Sequence, residues 1–165
     1  MTRRRFWDSL IKIPDAITGK LITPRPHHAQ AEVMRDLDAI DPATGLRLYP
    51  IHFWHWARKC AKDFMLSVEI LYHLGFDPFE KEPRFAAVAA WDSQQTQITK
   101  RTTEQLIQRA SWLRGHYKIY KDTIVFAEKV RDTRTGGSYV VEHIADFLSR
   151  DIRRPWLAPQ PENSQ

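Results

Sequence analysis

Lys100, Arg101, Arg109, Arg114, Lys118 and Lys121 fall in one segment, with Trp112, His116, Tyr117 and Tyr120 set among them and Glu104 as the main opposing charge. Cations at this density attract phosphates irrespective of sequence. Exposed rings beside them stack on unpaired bases for about 1–3 kcal/mol each. On a helix, Arg101, Gln105, Gln108 and Arg109 lie within one or two turns and form a grouping that can meet a nucleic-acid backbone or groove. The segment therefore predicts contact with DNA or RNA through Lys100, Arg101, Arg109, Trp112, Arg114, Tyr117, Lys118 and Lys121. The mechanism is charge neutralisation with little sequence specificity. The competing reading is a solvated basic face whose aromatics pack inward. A helix-turn-helix does not follow, because the first of the two helices it needs here is too long and too polar.

Two further groupings carry chemistry. Arg3, Arg4 and Arg5 precede Phe6, Trp7, Leu10 and Ile11, which recur at the spacing of one helical face until Pro14 ends the pattern. Such a helix can dock on a partner protein through Phe6, Trp7, Leu10 and Ile11, lie peripherally in an anionic membrane surface, or fold back onto the core. Farther along, Arg131 and Arg134 precede Gly136, Gly137 and Ser138. A glycine pair opening a helix leaves backbone N–H groups facing outward for an anion, with Ser138 as an ordinary N-cap in the competing reading.

Metal and catalytic patterns are thinner. His52, Trp54, His55 and Trp56 form one cluster, and Glu69 with His73 forms a pair at helical spacing. On a continuous helix His55 and Glu69 are about 21 Å apart, so the two groups cannot share an ion, and no metal or other cofactor is expected. The chain carries no phosphate-binding loop signature, nucleophile elbow, CxxC pair or dinucleotide fingerprint. These readings converge on a non-enzymatic, basic accessory protein that binds nucleic acid or helps a larger nucleic-acid-handling complex hold it. The alternative is an interaction or assembly subunit docked through its N-terminal amphipathic helix, including at a membrane surface, and a third, weaker reading is a small metal-dependent enzyme.

The elements that must position these residues read as helices throughout. The 165 residues, 42% apolar and 27% charged with a net charge of +5, suit one globular domain. Helices are expected over residues 3–11, 27–40 and 50–74, over one or two segments within 85–113, and over 117–130 and 140–148. Residues 117–130 also carry the β-branched and aromatic content of a strand. The expected fold is all-α, a single-domain bundle of about five helices. An N-terminal helix and irregular arm occupy 1–26, the helical core 27–154, and a disordered tail 155–165. Cys60, the single cysteine, excludes an internal disulfide and reads as a buried thiol. Asp8, Ser9, Lys12 and Pro14 interrupt any secretory signal, no apolar run spans a membrane, and the expected location is the cytoplasm.

Overall fold

The computed structural model describes residues 1–49, 51–54, 56, 61–78, 83–90, 93–131, 134 and 136–149. In chain order these form α1 (Arg3–Leu10), β1 (Ile13–Pro14), β2 (Leu21–Ile22), α2 (His28–Asp38), α3 (Lys62–Phe76), β3 (Phe85–Ala90), α4 (Ser93–Arg109), α5 (Ser111–His116), β4 (Tyr117–Ile119), β5 (Thr123–Arg131) and β6 (Ser138–Ser149). The fold is mixed α/β, which corrects the all-α helical bundle expected from the sequence. A four-stranded sheet has the order β3-β6-β5-β4, with β3 parallel to β6 and the other pairs antiparallel. β1 and β2 form a separate two-stranded ribbon.

The sheet explains the core. β5 and β6 are rich in β-branched residues, and in their register Ile124 faces Ala145 and Phe126 faces His143. All four are buried, together with Phe147, on the sheet face that α3 and α4 cover. From the helices come Met65, Val68, Leu71 and Leu74 of α3, Leu106 and Ile107 of α4, and Leu113 of α5. Phe6, Trp7 and Ile11 bring the α1 side into the same cluster, with Met34 of α2. Phe6 lies 5.7 Å from Tyr72 and 5.0 Å from Phe76, ring to ring, and Trp7 lies 5.3 Å from Phe64. The Trp7 indole N–H donates to the Pro24 carbonyl at 2.7 Å, so the ring buries its apolar body and still satisfies its donor.

The helices expected at 3–11 and 27–40 are α1 and α2. Thr2 caps α1, and His27 forms a reciprocal capping box with Gln30 at the start of α2. The helix expected over 50–74 is α3, which begins only at Lys62: residues 51–54 and 56 are not helical, and the chain enters α3 through Ala61 in a left-handed conformation (φ 56°). Three helical expectations are overturned. Residues 85–90 form β3 despite an alanine-rich sequence, because pairing with β6 overrides local propensity. Residues 117–130 are the β4–β5 hairpin. Residues 140–148 lie in β6, where both faces of the strand carry apolar residues and the two-residue period is masked by a spacing that also fits a helix. The tail 155–165, Cys60 and His55 lie outside the described residues.

Candidate functional site

The basic segment is distributed over α4, α5 and the β4–β5 hairpin, four consecutive elements. Lys100 points inward, is buried, and pairs with Glu104 one turn on. Tyr117 is buried under α3, its hydroxyl donating to the Leu71 carbonyl at 2.6 Å, and burial holds that phenol well above its ordinary pKa. Trp112 is 38% exposed, packs 5.2 Å from Phe76 and stacks on His116 at 3.9 Å. Arg101, Arg114, Lys118 and Lys121 are exposed, and among the described residues no carboxylate lies within 4 Å of any of them. Arg109 is half-buried and reaches Gln105 at 3.3 Å, as i,i+4 neighbours on a helix do. The predicted contact residues that remain at least partly exposed are thus Arg101, Arg109, Trp112, Arg114, Lys118 and Lys121.

The other predicted groups stand elsewhere. Phe6, Trp7 and Ile11 are wholly buried and Leu10 packs against the same cluster, so the apolar face of α1 belongs to the core. Arg131, Arg134, Gly136, Gly137 and Ser138 lie around the β5–β6 connection, where Ser138 opens a strand opposite Arg131 rather than capping a helix, and Gly136 supplies a positive φ of 73°.

A cluster outside the predicted sites lies beneath α1. Arg3 is buried with its guanidinium 2.7 Å from both Asp38 and Glu69 and 3.8 Å from Asp77, and 4.4 Å above the Tyr72 ring. Arg47 also pairs with Asp77, and His73 Nδ1 stands 3.5 Å from the same carboxylate. Burial raises the Glu69 carboxyl from its ordinary value, with Arg3 opposing. Burial, reinforced by the Asp38 charge, pushes the Tyr72 phenol up to about 12. The signal was present: Arg3 shares the α1 stripe of Phe6 and Trp7, and Glu69 shares the α3 stripe of Met65 and Tyr72.

This cluster borders a cavity of about 350 Å³ to which His52, Glu69, His73 and Asp77 all contribute. Imidazoles, carboxylates and guanidinium groups so gathered are the ingredients of acid–base chemistry. Among the described residues no three His, Cys, Asp or Glu side chains are placed to hold a metal ion, and no helix is long and apolar enough to cross a membrane.

No family model and no curated protein matches the chain. Among solved structures it is similar to a mutant of the large terminase ATPase domain of Thermus phage P74-26, at 14% identity and a TM-score of 0.46. The alignment covers 74% of this chain and 45% of that one, so the chain spans less than half the length of its neighbour. That neighbour is an ATPase domain, and the reading of this chain as non-enzymatic is not retained. At a TM-score below 0.5 the likeness assigns neither fold nor activity to it.

Proposed function

We propose that the protein binds nucleic acid through the exposed cations of α4, α5 and the β4–β5 hairpin, within a larger nucleic-acid-handling assembly. The observation that supports this reading is the succession of exposed cations without a carboxylate partner among the described residues along α4, α5 and the β4–β5 hairpin. Arg3, Arg4, Arg35, Arg47 and Lys100 each lie beside a carboxylate. Arg101, Arg114, Lys118 and Lys121 have none among the described residues, and their charge faces water. Unpaired surface cations on neighbouring elements release counterions when they meet phosphates, the source of sequence-independent affinity. Trp112, 38% exposed, is the ring within this segment that is offered to a base.

The test is fluorescence anisotropy with single- and double-stranded DNA and RNA. Replacing Arg114, Lys118 and Lys121 together with Glu is expected to weaken binding at least 100-fold and leave the circular dichroism spectrum unchanged. Undiminished binding by the folded triple variant rejects this surface as the contact.

A further inference from the structure

We propose that the outer edge of β3 is a docking site for a single extended, uncharged strand of a partner protein, which joins the sheet beside β3. The two edges of the sheet are built differently. The β4 edge carries Lys118, with Lys121 in the turn beyond it, and cations on an edge strand discourage another strand from pairing. The β3 edge, Phe-Ala-Ala-Val-Ala-Ala, carries no charge, proline or bulge.

Its main chain is also accessible. Ile144 N–H donates to the Arg84 carbonyl, which fixes the parallel ladder so that residues 84, 86, 88 and 90 bond toward β6. The backbone groups of Phe85, Ala87 and Ala89 therefore point away from the sheet. The Phe85 carbonyl meets His73 Nε2 at 3.2 Å, which closes one end of the row. Among the described residues nothing pairs with Ala87 or Ala89 on that side.

Beside this row lie two open grooves. These cavities, of about 350 and 390 Å³, run along β3 and share Leu66 and Val88 as lining. Tyr49 and His52 line the first, and Trp54 lines the second. One residue lining each cavity also carries a buried polar atom with no partner among the described residues: the acceptor Glu69 Oε1 for the first, the donor Trp54 Nε1 for the second. Outward N–H and C=O groups in alternation, with one spare donor and one spare acceptor nearby, are the complement of a polypeptide main chain. The apolar floor of Leu66 and Val88 suits apolar side chains at alternate positions. A second copy of the folded chain is a poor occupant, because its own β3 edge is walled by the same Tyr49, His52 and Trp54.

The probe is an acetylated, amidated hexapeptide of alternating valine and threonine, titrated into the isotopically labelled protein and followed by amide shifts and hydrogen exchange. The expected result is saturable shifts at Ala87, Ala89 and the Trp54 indole, with exchange at Ala87 and Ala89 slowed at least tenfold. Ala87→Pro, which deletes an outward N–H only, should abolish binding and leave Ala86 and Val88 protected. The same peptide N-methylated at alternate residues should not bind to the unaltered protein, so the conclusion does not depend on the variant folding. Absence of a saturable response, or equal binding by the N-methylated peptide or by folded Ala87→Pro, overturns the proposal. So does protection of Ala87 and Ala89 without peptide: at monomer mass the chain covers its own β3 edge, and at twice that mass a second copy does.

Discussion

A Cβ placed on Gly75 would stand 2.5 Å from Tyr117 Oη, inside van der Waals contact, and that hydroxyl is held against α3 by its bond to the Leu71 carbonyl. Gly75→Ala is therefore expected to destabilise the protein by about 1–3 kcal/mol, the range for overpacking in a filled core. Tyr117→Phe removes the clashing oxygen at a cost of about 1 kcal/mol for the lost hydrogen bond. The double variant should recover most of the Gly75→Ala loss, and urea unfolding of the four proteins measures that coupling. Additive losses would mean that the hydroxyl is not the obstacle. Glu69 gives a prediction in pH. Its raised pKa means that the folded state holds the proton more tightly than the unfolded one. Its contribution to stability is full below the ordinary value of 4.5 and is lost as pH rises through the folded value. Relative to Glu69→Gln, the unaltered protein should lose thermal stability as pH rises from about 4.5, and a difference in Tm that stays flat to pH 8 contradicts a penalty on the ionised carboxylate. At this scale the sequence was legible where charge met solvent, as at Arg101, Arg114, Lys118 and Lys121. It was opaque at Lys100, whose i,i+4 partner Glu104 was visible but whose burial was not, and at Tyr117, whose acceptor, the Leu71 carbonyl, lies 46 residues away in the chain.

Among the elements, α1 and α2 were readable because each has its own signals: an apolar stripe, a side-chain cap and a breaker beyond the end. β3 and β6 were not, because a strand apolar on both faces lacks the alternation that distinguishes it from a helix, and alanines in β3 favour a helix until β6 claims them. The start of α3 was misread for a different cause. Apolar spacing continues N-terminal of Lys62, yet Ala61 takes a left-handed backbone that no residue with a Cβ adopts freely. Ala61→Gly relieves that strain, partly offset by the greater freedom of glycine in the unfolded chain, and should raise stability by about 0.5–1 kcal/mol. A lower urea midpoint in the variant would show that the turn is unstrained.

For the molecule as a whole, the unpaired cations set a scale for its response to salt. Four phosphates met by Arg101, Arg114, Lys118 and Lys121 give a slope of about −3 to −4 in log K against log salt on duplex DNA, and Lys118→Glu with Lys121→Glu should reduce it by about 2. Anisotropy titrations at several salt concentrations read the slope directly, and an unchanged slope moves the contact elsewhere. The strand order has a temporal meaning as well. β5 and β6 meet across a short connection, whereas Phe85 of β3 pairs with Ile144 of β6, about 59 residues later in the chain. Closing that span comes after the hairpin, since the entropy of a long loop must be met before its contacts exist. During synthesis, β3 leaves the ribosome before any sheet exists to receive it. The uncharged Phe-Ala-Ala-Val-Ala-Ala segment is then exposed on both edges until the last strand arrives, which makes the interval between β3 and β6 the stretch of translation in which this chain most needs a chaperone.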